Sequence, residues 1–206
     1  YNVGNEIVYR HKFSKDGRSI SIGLNSSAND KLSKNTKMSI DKRSLADSIP
    51  INTLTDGGTK GYTLSGNLAY TEPIGKTGQV QLSYFTAYTS NNSDKKTYNT
   101  GPNNDLHQKV DSLSNVYDNY YKTNRGGISY RIRNDKAMFS AGVDFQRFDL
   151  VGRQTFPNSS NIDKTFENYL PNAMINVKFS KKNSFRFNYR TSINPPSISQ
   201  LQSVID

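Results

Sequence analysis

The sequence predicts an all-β fold built as an antiparallel sheet, and three observations predict it. Apolar and polar side chains alternate over run after run, as in "SFRFNYRTSI" at 184–193. There Phe185, Phe187, Tyr189, Thr191 and Ile193 fall on one side of an extended chain and Ser184, Arg186, Asn188, Arg190 and Ser192 on the other. The runs come in pairs joined by short polar turns. Tyr, Phe, Asn, Ser, Lys and Thr carry the sequence, with few Leu and Ala, which favours strands over helices.

The elements follow in order. Residues 6–13 and 18–25 pair around "SKDG", where Asp16-Gly17 is a tight-turn dipeptide. The runs "GYTLSGNLAYTEPI" and "GQVQLSYFTAYT" flank the turn "GKTG". "GGISYRIR" and "KAMFSAGVDFQRF" join through "NDK", and "NAMINVKFS" and "NSFRFNYRTSI" through "KKN". This makes about eight strands in four hairpins, at 6–25, 61–89, 127–148 and 172–193, within a single domain over 1–206. Polar segments rich in Asn, Ser, Asp, Lys and Thr separate them at 26–60, 90–115 and 152–167 and read as long loops. In the second of these, the spacing of Leu106, Val110, Leu113 and Tyr117 fits either a short helical turn or the start of a strand.

Composition limits the class. Of 206 residues only 33% are hydrophobic, mean hydropathy is clearly negative, and a large dry core is not expected. Without cysteine there is no disulfide scaffold and no thiolate metal site. No apolar run reaches the roughly 18 residues of a membrane helix. The strand-like opening "YNVGNEIVYRHKF" fits an internal or processed piece of a longer chain. A net charge of +10 points to an anionic partner: nucleic acid, lipid phosphate or an acidic solute.

The two faces of the strands discriminate further. One carries Ile7, Tyr9, Ile22, Leu24, Leu64, Leu68, Leu82, Tyr84, Ile128, Tyr130, Val143, Phe145, Ile175, Val177, Phe185 and Phe187. The other is polar throughout. A soluble sandwich buries its apolar faces between two sheets; a membrane barrel turns them to lipid. Short turns on one side with long connections on the other, strands of about 9–11 residues, and two sets of aromatics a bilayer apart favour the transmembrane β-barrel. The lower set is Phe13, Tyr70, Phe139, Phe179 and Phe185, and the upper Tyr62, Tyr88 and Phe145. Candidate lumen-facing residues are then Arg10, Lys12, Arg131, Arg133, Asp144, Lys178, Arg186 and Arg190. Arg186 and Arg190 meet a plug or an anionic solute, or pair with Asp144 or other carboxylates across the lumen.

Catalytic and cofactor chemistry finds little support. His11 and His107 share no neighbourhood with a Ser or Asp nucleophile or base. Gly57-Gly58 and Gly126-Gly127 do not form a phosphate loop, and "NSDKK" and "GPNND" lack the alternating carboxylates of a calcium loop. Basic and aromatic residues interleave in "YYKTNRGGISYRIR" but fall on opposite faces, whereas a nucleic-acid stacking platform needs them together. No enzyme, cofactor, metal or nucleic-acid partner is expected. Arg147 beside the upper aromatics, with loop lysines, suits lipopolysaccharide phosphates.

The stretch "YRTSINPPSISQLQ" resembles the arginine, Asn-Pro-Pro, Ser and Gln-Leu signature found late in the barrels of TonB-dependent receptor-like proteins of Bacteroidetes type, the outer membrane protein beta-barrel family. "SKDGRSIS" and "SKKNSFRFNYR" are similar to that family's periplasmic turns and following strands, so the resemblance covers essentially the whole chain. It implies a Gram-negative outer membrane, a large barrel of about 22 strands, an N-terminal plug, energy coupling from the inner membrane, and uptake of a nutrient or metal chelate. Asn194, Pro195 and Pro196 then form a rim motif at which regular pairing stops. These 206 residues contain no plug, coupling box or closing strands, and so read as a middle portion of the wall. The alternatives are a non-transporting surface binding or adhesion protein, and a small closed barrel that serves as an anchor.

Overall fold

The structure is a computed structural model that describes residues 1–42, 48–100 and 106–193. Nine strands form one antiparallel sheet: β1 (Asn2–Lys12), β2 (Ser19–Lys42), β3 (Ser48–Ile74), β4 (Gly78–Thr100), β5 (Leu106–Lys109), β6 (Asn115–Arg133), β7 (Ala137–Phe156), β8 (Ser160–Lys178) and β9 (Ser184–Arg190). Eight lie side by side in chain order, and the short β5 pairs with the far end of β4. Among the described residues β1 and β9 are free edges.

All four tight turns lie where the alternation places them. Gly17 (φ 82°) and Gly75 (φ 65°) adopt the left-handed backbone that a side chain disfavours. At the β6–β7 turn the Asn134 side-chain oxygen accepts from the N–H groups of Lys136 (3.0 Å) and Ala137 (2.7 Å), which closes the turn locally. Ser180 plays the same part at the β8–β9 turn, accepting from Lys182 (3.2 Å) and Asn183 (3.1 Å).

The connections on the other side depart from expectation. Segments 26–60, 90–115 and 152–167, expected as loops, are largely paired strand. The β2–β3 ladder runs from Ser19↔Thr71 to Lys42↔Ser48, and β2, β3 and β4 reach 24, 27 and 23 residues where about 9–11 were expected. Sequence alternation reports a strand only where one face is apolar. Beyond the apolar zone both faces are wet, so the period disappears while the backbone ladder and the Thr-rich composition persist. The ambiguous second segment contains both readings: Leu106–Lys109 is strand, and a single 3-10 turn follows at Asp111–Leu113.

The register brings the apolar residues of every strand onto one surface. Ile7 faces Leu24, Ile22 faces Leu68, which faces Tyr84; Leu82, Ile128 and Val143 share a row, as do Val177 and Phe185. That surface is solvent-exposed: Ile7 is 68%, Leu64 57% and Phe187 46% accessible. Tyr62, Tyr88 and Tyr120 stack along its upper edge, with centroids 5.8 and 6.4 Å apart, and Phe145 lies 5.3 Å from Tyr169. Phe13, against His11 (4.7 Å) and Tyr70 (6.5 Å), marks the lower edge.

The apolar belt crosses the strands obliquely. Tyr62 on β3 shares its register row with Ser90, Tyr120, Val151 and, on β8, Asp163, yet the belt's upper edge on β8 is Tyr169, six residues further down. Six residues are about 20 Å, and four strand spacings about 19 Å, so the strands tilt roughly 45° to the belt. Membrane strands tilt about 35–45°, whereas a belt meant to cover a second sheet has no need of this slant.

At the foot of the first two hairpins one carboxylate gathers four donors. Glu72 accepts from Lys15 Nζ (2.7 Å), Arg18 Nε (2.7 Å), Arg18 Nη2 (2.8 Å) and the Tyr70 hydroxyl (2.6 Å). Arg18, then Lys15 and Tyr70, hold its pKa well below the ordinary 4.5. A depressed carboxylate stabilises the fold above its unfolded pKa and loses that contribution as pH falls through the folded value.

Two outcomes follow. Val143→Arg, in the middle of the belt, is expected to destabilise the membrane-folded state by about 2–4 kcal/mol, while Ser83→Lys, exposed on the opposite face, leaves it within about 1 kcal/mol; denaturant titration in lipid vesicles measures both, and equal effects would refute the assignment of faces. Acid unfolding below about pH 4.5, followed by heat-modifiable gel mobility, is expected to be less steep in Glu72→Gln than in the parent protein.

Candidate functional site

The face opposite the belt carries the functional candidates. Arg10 and Lys12 lie on it at one edge, opposite Ser21 and Ser19. Arg131, Arg133, Asp144, Lys178, Arg186 and Arg190 lie on it at the other, so the two groups are separate. Adjacent rows read Arg131–Ser140–Met174–Asn188 and Arg133–Met138–Asn176–Arg186. Arg131, Ser140, Asp144, Asn172, Asn188 and Arg190 line a cleft of about 270 Å³. Arg131 Nε is buried there without a hydrogen-bond partner. Asp144 folds over Gly127, where any side chain would take the space of its carboxylate. Among the described residues no ion pair joins Asp144 to Arg186 or Arg190. Arg133 and Lys178 line a second cleft of about 200 Å³ beside the β6–β7 turn. Asn194, Pro195 and Pro196 lie outside the described residues.

Above the belt the chemistry of the two faces reverses. On the outer surface, register partners become charged: Arg147 bonds Asp149 (3.2 Å) and Glu167 (3.4 Å), Thr165 donates to Asp149 (2.8 Å), Asn92 donates to Asp118 (2.6 Å), and Lys60 lies 3.7 Å from Asp30. Thr165 and Arg147 together hold Asp149 below the usual carboxylate range. On the inner surface, Phe148 and a fully buried Leu150 form a cluster with Tyr121 and Phe166, the rings 5.8 and 6.4 Å apart. Just below it, the Arg125 guanidinium lies over Phe85 at 5.4 Å. Just above runs a row of Asn29, Gly61, Asn91, Asn119 and Gly152. Gly61 leaves room for the carboxamides of Asn29 and Asn91 on either side, and Asn119 is 5% accessible with its side-chain oxygen unpartnered.

Sequence reading missed this inner cluster. The signal was present: the apolar parity of β7 changes across Gln146-Arg147, from the odd positions up to Phe145 to the even positions Phe148 and Leu150. In β8 it changes between Phe166 and Ala173, again with no break in pairing. The far end of β4 is braced independently. Ser114 Oγ accepts from the Thr97 N–H (2.9 Å) and donates to the Val110 carbonyl (2.7 Å), and Lys109 Nζ lies 3.4 Å from the centre of the Phe156 ring. No group of three His, Cys, Asp or Glu side chains that could hold a metal occurs among the described residues.

A tilted antiparallel sheet with an exposed apolar belt, aromatic edges and a polar opposite face is the wall of an outer-membrane β-barrel, and its place is the cell outer membrane. The chain belongs to the outer membrane protein beta-barrel family, whose sequence model matches residues 11–206. Among solved structures it is similar to BauA, the ferric preacinetobactin receptor from Acinetobacter baumannii, with TM-score 0.59, 14% identity, and 92% of this chain matched to 30% of that one. It is also similar to FpvA of P. aeruginosa, solved with bound pyoverdines, with TM-score 0.55, 13% identity, and 87% of this chain matched to 25% of that one. The third is Fiu, the ferric-catecholate import receptor of E. coli K12, with TM-score 0.55, 13% identity, and 95% of this chain matched to 36% of that one. At such identity the likeness is one of fold, and the chain spans only about a quarter to a third of the length of these proteins. No curated protein sequence matches it.

Leu150→Ala is expected to cost about 2–5 kcal/mol, as for a large-to-small change at a fully buried position, and Val151→Ala on the outer surface under about 1 kcal/mol. Equilibrium unfolding of the two variants distinguishes a packed inner cluster from a wet one.

Proposed function

We propose that this chain is a wall segment of a TonB-dependent-type importer of Bacteroidetes type, and that the protein containing it takes up a small solute, an iron chelate or other nutrient. The observation that carries this reading is the reversal of faces above the belt. A barrel that serves only as an anchor needs an apolar exterior in the membrane and has no use for aromatic rings and amides on the inside of its outer end. In this protein Tyr121 and Phe166, packed on the buried Phe148, with Arg125 on Phe85 and the asparagine row, offer a solute arriving from outside both aromatic rings and hydrogen-bonding groups. The three similar structures belong to proteins named for ferric preacinetobactin, pyoverdines and ferric-catecholate import, which makes ferric chelates the first solutes to test.

In this reading Arg10, Lys12, Arg131, Arg133, Arg186 and Arg190 line a lumen that holds a plug domain, Lys178 stands at the short-turn rim of that face as the last residue of β8, and the unpartnered Arg131 Nε meets a carboxylate of that plug or of the solute. The charged ring of Arg147, Asp149 and Glu167 sits at the level of lipopolysaccharide head groups. Energy comes from an inner-membrane coupling protein. No residue is given a catalytic role.

The test is accumulation of labelled ferric chelates by cells carrying the intact protein, with and without their inner-membrane coupling system. Tyr121→Ala with Phe166→Ala, the two partly exposed rings of the cluster, is expected to reduce capture at least tenfold, since a stacking contact contributes about 1–3 kcal/mol, while the barrel still assembles around the buried Phe148 and Leu150. Ligand bound at the surface with no energy-dependent entry would overturn the importer reading in favour of a surface-binding protein.

A further inference from the structure

The positive charge at the short-turn end of the sheet is unevenly used. Lys15 and Arg18 are committed to Glu72. Lys136, Lys178, Lys181 and Lys182, from the two neighbouring turns at the foot of β6–β9, make no ion pair among the described residues. They surround one cleft of about 520 Å³. Backbone bonds set its shape: Lys178 N–H donates to the Lys136 carbonyl (2.8 Å), and Phe179 N–H to the Asn183 carbonyl (3.0 Å). Asp135, in the adjoining cleft with Lys136 and Lys178, sets one negative charge against these four positive ones.

The cleft also has an apolar wall. Phe179 lines it and is 72% accessible. It continues the outward parity of Val177, so its ring extends the lipid-facing row formed with Phe185 and Phe139. Four ammonium groups beside an exposed ring at the lower edge of the belt fit a molecule that is anionic at one end and apolar at the other. A free inorganic anion has no use for the ring, and a soluble acidic polymer has no reason to meet it at the membrane edge. The volume falls within the range of about 300–1,000 Å³ common for small-ligand sites.

We propose that this cleft is a binding site for an anionic phospholipid of the inner leaflet, with the phosphate held by Lys136, Lys178, Lys181 and Lys182 and the acyl chains lying along Phe179 and the belt above it. The proposal rests on the reading of the chain as a membrane-barrel wall with its short turns on the periplasmic side.

The test uses the intact protein in nanodiscs of neutral phospholipid doped with phosphatidylglycerol, with native mass spectrometry counting the phosphatidylglycerol that remains after mild delipidation. Replacing the four lysines with glutamine is expected to lower retention roughly tenfold or more, because each basic residue near an anionic headgroup contributes about 1 kcal/mol. Phe179→Ala and the turn-only variant K181Q/K182Q are expected to give smaller losses. Glutamine at Lys31, Lys34, Lys37 and Lys95, at the far ends of β2 and β4, removes the same four charges as the net-charge control and leaves retention unchanged. Equal retention by the four-lysine variant and the parent overturns the site, as does displacement of the lipid by inorganic phosphate or by soluble peptidoglycan fragments at matching concentration. A protein that does not enter nanodiscs at all refutes the membrane reading together with the site.

Discussion

The antiparallel hydrogen-bond ladder passes from β1 through β9 with irregularities only at Asn99/Thr100 and Val116/Tyr117 among the described pairs, and every other property of the wall depends on its continuity. In hydrocarbon an unpaired backbone N–H or carbonyl costs several kcal/mol, so a chain with no membrane-spanning helix among its described residues crosses the bilayer by pairing each strand with its neighbours. The same ladder assigns each side chain to a face, because a slip of one residue would move a whole strand's apolar set to the lumen. Ile7, Leu24 and Leu64 are therefore tolerated in the open. The lipid takes the role a core takes in a soluble domain, and the few buried apolar side chains, Phe148, Leu150 and Leu170, are all on the inner side.

How much of this was legible depended on whether a single row of residues has to meet two different solvents. Within the belt it does, so alternation in "SFRFNYR" or "MFSAGVDF" revealed strands, turns and faces together, and the charged candidates from Arg10 to Arg190 share the face opposite the belt. Above the belt both solvents are water or sugar, and the sequence loses its period without losing its strands. Segment 26–60 looked like a loop because Asn, Ser, Thr and Lys follow one another without pattern. What keeps it extended is pairing between two distant stretches, such as Lys34 with Asp56, which no local window contains. The inner cluster was hidden for a related reason: the apolar parity changes at Gln146-Arg147, so Phe148 and Phe166 fall outside the alternation that marks the belt.

The inner surface combines two textures. Its lower part toward β2–β4 carries small, uncharged groups, Ser21, Ala69 and Ser83 in one row, so a packed object can come close to the backbone there. Toward β6–β9 it becomes strongly basic, with Asp144 the single carboxylate in the cleft of Arg131 and Arg190. Shape tolerance on one side and charge selectivity on the other orient whatever fills the lumen without a dedicated pocket for it.

The length of β3 has a consequence for how the cell meets its surroundings. Its 27 residues extend about 90 Å, or about 60 Å of height at the tilt of the belt, and an outer-membrane belt is only about 25 Å tall. The belt lies at the short-turn end, so most of the excess stands on the external side as paired, twisted sheet. Anything that approaches the membrane from that side therefore encounters a stiff parapet of paired strands well before it reaches the bilayer. Variation on that parapet is constrained: one residue inserted within a paired strand reverses the faces beyond it unless a bulge absorbs it, as at Thr155 of β7, so changes in height come in twos, at bulges, or at the hairpin tips.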